Sequence, residues 1–132
     1  MIEITRLFDF PYYQLEKYNL DAALVTKRNG EWVKTSTQEY LDRANDVSRA
    51  LLRLGIQKND KIAIISSNNR TEWHIIDIGT LQTGAQTVPI YPTIGEEDYE
   101  YILNHSGSIV CFVSDIEVYH KVKKIQANVP AL

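Results

Sequence analysis

The sequence lacks features that define several protein classes. Cysteine occurs once, as Cys111, so an internal disulfide bond is excluded. No apolar run approaches the roughly 18 residues that would suggest a membrane span. The N-terminus carries Glu3 and Asp9 where a signal peptide has a basic start and an apolar stretch. We therefore expect a cytoplasmic protein, with Cys111 packed inside an apolar strand rather than reactive.

Positive charge is also scarce. The 14 lysines and arginines are outnumbered by 17 aspartates and glutamates, which gives a formal net charge of -3 with histidine neutral. With this charge balance, the sequence does not indicate a positively charged surface for binding nucleic acid. With 132 residues, of which 44% are hydrophobic and 23% charged, the chain has the composition of a soluble globular domain with a real core.

Residues 61–93 are predicted to form a strand, a helix and a second strand. The run Ile62–Ile65 is apolar without alternation, as expected of a central strand in a parallel sheet. Asn69 is placed to cap the helix, with Glu72 three residues on, and Gly84 to end it. Apolar residues cover most of the helix circumference: Trp73, Ile75, Ile76, Ile78 and Leu81.

The second strand of this unit contains Pro89, which has no N–H to donate. Proline therefore fits an edge strand, a strand end or a bulge better than the centre of a sheet.

The residues before this unit predict three further elements. Residues 1–20 are rich in aromatic and aliphatic side chains without a clear period, which predicts a leader that packs irregularly. Residues 22–27 and 31–34 have β-like sequences and flank Arg28-Asn29-Gly30, whose Asn-Gly pair is a strong turn signal, so residues 22–34 are predicted to form a hairpin. Ser36 and Glu39 form a capping box for an amphipathic helix that ends at Gly55, and its apolar positions are Tyr40, Ala44, Val47, Leu51 and Leu54.

The residues after the unit continue the alternation. A helix is predicted at 95–105 and a strand at 109–113, and Asp115 is placed to cap a last helix. In that helix the pattern turns Val118, Tyr119, Val122 and Ile125 inward and Lys121, Lys123 and Lys124 outward.

Together these elements predict an α/β fold. From Lys61 onward, strands and helices alternate, which predicts neighbouring parallel strands at 62–66, 87–91 and 109–113 in a three-layer sheet, with the helices near 71–83 and 95–105 on its faces. Ligands of such sheets bind beyond the carboxyl ends of the strands. Here those ends are 66–69, 91–93 and 114–115, although polar residues there also serve as turns and caps.

The motifs of common catalytic and cofactor sites are missing. Gly79 and Gly84 have the spacing of a phosphate loop, but no Lys and Ser or Thr follow them, and no G-x-G-x-x-G occurs. His74, His105 and His120 have no partner at metal-ligand spacing. The run Glu96–Asp98 could attract Mg²⁺, but acidic residues are commonplace at a helix N-terminus.

The order of the segments is nevertheless distinctive. A capped helix precedes KNDKIAIISSNNRTEW, an apolar helix, TGAQTVPIYPT, GEEDYEYILNHSGS and IVCFVSD. Over about residues 13–125 this order resembles the start of the adenylate-forming acyl-CoA synthetase family, the AMP-binding ligases. The stretches 68–73 and 88–93 look most like long-chain fatty acid–CoA ligases.

The resemblance implies a function for a longer parent protein. Family members couple a carboxylic acid to ATP, release pyrophosphate and transfer the acyl group from the adenylate to coenzyme A. For the parent it implies a long-chain fatty acid as substrate and ATP, Mg²⁺ and coenzyme A as cofactors. Peripheral membrane contact of the parent stays open. Tyr91 and Thr93 are implied on the coenzyme A side, although Thr93 with Glu96 also reads as a plain capping box.

The family's phosphate loop, its adenine and Mg²⁺ segment, its ribose-binding aspartate and its C-terminal lysine have no counterpart in these residues. We therefore expect residues 1–20 to be a leader and 21–132 a partial N-terminal AMP-binding domain. The segment alone should be catalytically inactive, bind no cofactor tightly, and self-associate through an exposed sheet edge or apolar face. Two alternatives remain: a stand-alone α/β binding or regulatory module of this family, and an unrelated flavodoxin-like domain.

Overall fold

A computed structural model describes residues 2–132. It contains five helices, five strands and a terminal 3₁₀ turn, in this order: α1 (Asp9–Lys17), β1 (Leu24–Arg28), β2 (Glu31–Thr35), α2 (Thr37–Arg53), β3 (Lys61–Ile65), α3 (Thr71–Gln82), β4 (Gln86–Ile90), α4 (Glu96–Ser106), β5 (Ser108–Val113), α5 (Ile116–Ile125) and the 3₁₀ turn Gln126–Asn128. No helix of this part of the chain is long and apolar enough to cross a membrane.

The elements fall into two compact units. The first, called the helical unit, contains the described residues up to Ile56 together with Asn69–Thr83. The second, called the sheet unit, contains Gln57–Asn68 and Gly84–Leu132. The predicted place of the helix near 71–83 on a face of the sheet concerns both units and stays a prediction.

The sheet unit contains three parallel strands in the order β4-β3-β5. The pairing sets Ile65 opposite both Ile90 and Val113. The predicted parallel strands and the central position of β3 are thus confirmed. Pro89 lies in β4, an end strand of this sheet, and is exposed. Its missing N–H is therefore compatible with the ladder.

The core of the sheet unit lies between its strands and its two helices. Ala63 and Ile65 from the central strand join a cluster with Ile90, Tyr99, Leu103, Val118, Val122, Ile125 and Val129. Full burial of one such aliphatic side chain contributes about 1.5–3 kcal/mol to stability. Tyr119 was expected to point inward but is 45% exposed. The buried residues of α5 are Val118, Val122 and Ile125, which are spaced by four and three positions and do not include Tyr119.

The helical unit begins with an element that the sequence did not reveal. Residues 9–17 form helix α1, so the expectation of an irregular leader is wrong. Asp9 is buried at its start and accepts hydrogen bonds from the backbone N–H groups of Thr5 and Arg6. The Arg6 guanidinium, 2.9 Å from Asp9, lowers the pKa of this carboxyl to about 2. Scattered aromatic residues hide this helix from a search for periodicity.

The predicted hairpin and long helix are confirmed. The strands β1 and β2 pair with each other and not with the parallel sheet. Asn29 and Gly30 have φ of 50° and 86°, the signs that a tight hairpin turn requires. Ser36 accepts a hydrogen bond from the Glu39 N–H at 3.1 Å and caps α2. Leu54 follows the last helical residue and is 72% exposed, so the prediction that it belongs to the apolar face of α2 is wrong.

The cap of α3 differs from the expected one. Asn69 does not cap it: Arg70 is the N-cap residue, and its side chain makes no capping bond. Instead, the Thr71 N–H donates to the Thr26 hydroxyl of the hairpin at 2.9 Å. The free donor at the helix start is therefore satisfied by a residue distant in sequence.

Gly79 has a packing role in place of the phosphate-loop role that the sequence excluded. It lies on α3 against α2, and a Cβ built at this position would come within 2.7 Å of Val47 Cβ and 2.8 Å of the Ala44 oxygen. The Ser48 hydroxyl of α2 donates to the Gly79 oxygen at 2.8 Å. Only glycine allows this approach of the two helices.

We predict that Gly79→Ala destabilises the protein by about 1–3 kcal/mol, because the added methyl forces the two helices apart. The free energy of unfolding from a urea titration measures this loss. Gly95→Ala is the matched control, since its Cβ would meet only Asp98 Oδ2 at 3.6 Å, and its loss should be clearly smaller. Equal stabilities of Gly79→Ala and the wild type would contradict the close packing.

Candidate functional site at the carboxyl edge of the sheet

Three segments leave the parallel strands at one edge. Residues 66–68 follow β3, residues 91–94 follow β4, and Ser114 and Asp115 follow β5. Parallel pairing brings these segments to the carboxyl end of the sheet, where ligands of α/β proteins bind. All three belong to the sheet unit. Asn69, which the sequence grouped with the first segment, belongs to the helical unit.

Asp115 joins two of these segments. One of its oxygens, Oδ2, accepts hydrogen bonds from the Ser67 hydroxyl at 2.5 Å and the Ser114 hydroxyl at 2.6 Å. The other, Oδ1, accepts from the Val118 N–H at 3.0 Å and caps α5, as the sequence predicted. The Ser67 N–H also donates to the Ser114 hydroxyl at 2.9 Å. The loop after β3 is thus tied to the loop after β5.

The electrostatics of this cluster argue against catalysis. The Ser114 hydroxyl, then the Ser67 hydroxyl, lower the pKa of Asp115 to about 2. A general base works best with a pKa near the operating pH, which this carboxylate does not have. Neither serine is therefore activated as a nucleophile. The cluster is a structural clamp at the sheet edge.

Tyr91 and Thr93, the predicted site residues, lie on the remaining segment. Tyr91 is 79% exposed and Thr93 is also exposed. Within residues 2–132 neither side chain makes a hydrogen bond. Both are therefore free to meet a ligand: an aromatic ring can stack on a base, and a hydroxyl can bind a phosphate oxygen.

The start of α4 corrects one expectation. Thr93 and Glu96 do not form a capping box, because the N-cap residue is Gly95. The Gly95 N–H donates to Asp98 Oδ2 at 3.3 Å, while Glu96 pairs with Lys124 at 2.8 Å. The helix cap is therefore two residues later than a cap at Thr93 would be. This position leaves Thr93 outside the cap.

The other candidate groups are not assembled for chemistry. Burial raises the pKa of the Cys111 thiol to about 12, so the thiolate is disfavoured. His105 stacks on Tyr101 with ring centres 5.5 Å apart. Residues 2–132 contain no group of three or more His, Cys, Asp or Glu that could hold a metal ion.

The sequence missed an ionic network in the helical unit. Glu72 pairs with Arg28 and with Arg70, at 3.1 Å from the Arg70 Nε, and lies 4.0 Å from Arg43. Partial burial raises the pKa of Glu72, but its backbone and arginine hydrogen bonds outweigh this and lower it to about 2. The network borders a 230 Å³ cavity. Its cations are already engaged by carboxylates, so it joins the hairpin to α2 and α3.

We predict that Asp115→Asn lowers the melting temperature at neutral pH and that this difference shrinks as the pH falls from about 4 towards 2. Asparagine keeps an oxygen for the cap but loses the charge that accepts both serine hydroxyls. Because the folded-state pKa lies below the ordinary value of 3.8, the stabilisation is present above that value and is lost on acidification.

Thermal melts of wild type, Asp115→Asn and Ser67→Ala between pH 2 and 7 make this measurement. Ser67→Ala removes one of the two hydroxyl donors and should show a smaller effect of the same sign. A constant gap between wild type and Asp115→Asn across this range would contradict the clamp.

Comparison with known proteins identifies the family. The family model described as AMP-binding enzyme matches residues 12–132. The chain is 33% identical over 104 residues to the long-chain-fatty-acid–CoA ligase FadD15 of Mycobacterium bovis, which covers 79% of this chain and 17% of that protein. It is 31% identical over 121 residues to the long-chain-fatty-acid–CoA ligase ACSBG1 of Rattus norvegicus, which covers 92% and 17%.

A solved structure shows the same fold. The anthranilate CoA ligase AuaEII, in complex with anthranoyl-AMP, superposes with a TM-score of 0.79 at 22% identity, over 95% of this chain and 23% of that chain. The chain therefore spans less than a quarter of the length of each of these proteins. The match over residues 12–132 excludes the alternative of an unrelated flavodoxin-like domain, and the chain belongs to the AMP-binding enzyme family.

Proposed function

We propose that the protein containing this segment is an AMP-forming long-chain fatty acid–CoA ligase, and that residues 21–132 form part of its N-terminal AMP-binding domain. The observation that carries this proposal is the family match over residues 12–132. Both curated relatives described above are named long-chain-fatty-acid–CoA ligases. The substrate would be a long-chain fatty acid, activated as an acyl-adenylate and passed to coenzyme A.

The residues of this segment do not fit ATP or Mg²⁺. Adenylation needs groups that cradle phosphates, a metal ligand and a cation for the charge that develops on phosphorus. Three of the described lysines are already engaged: Lys61 donates to the Asn59 oxygen at 2.6 Å, Lys123 to Gln126 at 2.9 Å, and Lys124 pairs with Glu96. We therefore assign the nucleotide and metal site to other parts of the ligase.

The segment fits the coenzyme A side better. Tyr91 presents an exposed ring and Thr93 an exposed hydroxyl at the carboxyl edge of the sheet. An adenine ring could stack on Tyr91 while a phosphate oxygen accepts a hydrogen bond from Thr93. In this role the segment positions coenzyme A and leaves the proton and phosphoryl chemistry to other residues.

We predict that the full-length protein catalyses fatty acid-dependent exchange of labelled pyrophosphate into ATP and that the 132-residue chain alone does not. The chain lacks the phosphate and metal groups that adenylation requires. Acetate in place of the long-chain acid serves as the substrate control and should give no exchange.

Two results would contradict this proposal in different ways. Exchange by the 132-residue chain above a no-enzyme control would reveal a phosphate site within it. An inactive full-length protein would overturn the ligase assignment and favour a stand-alone binding or regulatory module.

We predict that Tyr91→Ala raises the KM for coenzyme A about tenfold, since stacking on a base contributes roughly 1–3 kcal/mol. Steady-state kinetics of the full-length enzyme give this value, and the KM for ATP should not change. Tyr101→Ala is the matched control, because Tyr101 is 67% exposed on α4 of the same unit. An unchanged KM for coenzyme A would remove Tyr91 from the site.

A further inference from the structure

Tyr99 combines complete burial with a polar contact. It lies on α4 and is the largest fully buried side chain in the described part of the chain. A buried hydroxyl needs a hydrogen-bond partner. The Tyr99 hydroxyl donates to the Pro92 carbonyl oxygen at 2.8 Å. This bond links the second turn of α4 to the segment that leaves β4.

Two contacts hold the segment from Tyr91 to Ile94: this bond, and the packing of Ile94 against the core cluster. Pro92 and Thr93 form a turn, and the bond from the Tyr99 hydroxyl ties this turn to α4. Pro92 has no N–H of its own, so its carbonyl is the backbone group of this residue that can form a hydrogen bond. Tyr91 and Thr93 flank Pro92 directly. The position of the Pro92 peptide therefore influences the direction in which their side chains leave the sheet edge.

The anchor is rigid because Tyr99 belongs to the core. Its ring packs in the cluster that contains Ala63 and Ile65 of β3 and Ile90 of β4. A fully buried ring in a close-packed core cannot swing away without opening a cavity. Burial also raises the pKa of the Tyr99 hydroxyl, which keeps it protonated as a donor. The bond from Tyr99 thus fixes the turn relative to strands β3 and β4.

We infer that Tyr99 is a positioning residue for coenzyme A: through the Pro92 carbonyl it holds the turn that presents Tyr91 and Thr93 to the cofactor. This inference rests on the proposed function. It differs from a simple core role, because a core residue supports every activity of the enzyme equally. A positioning residue acts on the step in which coenzyme A binds and leaves adenylation unchanged.

The decisive variant is Tyr99→Phe in the full-length ligase. Phenylalanine keeps the ring volume and removes only the hydroxyl. We expect the KM for coenzyme A to rise about three- to tenfold, while pyrophosphate exchange and the KM for ATP stay within about twofold of wild type. Tyr40→Phe is the matched control, since Tyr40 is also buried and its hydroxyl donates to a backbone carbonyl, that of His74, at 3.4 Å in the helical unit. It should leave the KM for coenzyme A unchanged.

A double variant tests whether Tyr99 acts through Tyr91. In a Tyr91→Ala background, Tyr99→Phe should add little to the KM for coenzyme A, because the ring that the turn positions is already gone. Fully additive effects would overturn the inference. A loss of all activities in proportion to the loss of folded protein would also overturn it, since that result is the signature of a core residue alone.

A readout on the 132-residue chain separates this inference from the proposed function. Backbone ¹⁵N order parameters at Tyr91 and Thr93 should fall from rigid values near 0.85 to below about 0.6 in Tyr99→Phe. Unchanged order parameters would show that the hydroxyl does not hold the turn and would overturn the inference. If the full-length protein shows no fatty acid-dependent exchange, the proposed function fails and the assignment to coenzyme A fails with it. The order parameters then report only whether Tyr99 holds the turn.

Discussion

Parallel pairing of β3 with a neighbour on each side is the constraint on which the carboxyl edge depends. The register places Ile65 opposite Ile90 and Val113, so the segments that follow the three strands leave the sheet at the same level. A slip of one residue would turn Ile65 away from the core and reverse the faces of the strand. The burial of a few aliphatic side chains therefore fixes which polar residues meet at the edge.

The polar residues at this edge divide into two groups. Ser67, Ser114 and Asp115 bond to one another and close the loops after β3 and β5. Tyr91 and Thr93 make no such bonds within the described residues and face solvent. The hydrogen bonds of the first group explain its presence at the edge by a structural role. The second group has no such structural role in the described residues. The clamp carboxylate stays ionised near neutral pH and is therefore poorly suited to act as a general base.

The sequence predicted features that a few neighbouring residues determine. Asn29-Gly30 makes the hairpin turn, Gly55 has the positive φ that follows α2, and Asp115 caps α5. Contacts between distant residues were missed. Thr26 satisfies the Thr71 N–H across 45 positions, so no local pattern indicates the true cap of α3.

The candidate site shows the same division. The exposed edge and its three segments follow from the order of strands and helices, which the sequence reveals. The start of α4 could not be predicted in this way. Both Thr93 with Glu96 and Gly95 with Asp98 have the spacing of a capping pair, and the sequence alone does not distinguish them. Tyr99 reads in the sequence as one more residue of an acidic helix. Its bond to Pro92 appears only when the helix packs back on its own strand.

The location of that bond bears on how a ligase can be assembled from its parts. Tyr99, Pro92 and the strands that pack with them all lie in the sheet unit, which contains residues 57–68 and 84–132. Our proposal assigns the phosphate and metal groups of the reaction to other parts of the ligase. A preorganised contact of this kind loses little conformational entropy when its ligand binds, whichever segment supplies the reacting groups. Local packing in the sheet unit therefore builds the proposed coenzyme A contact.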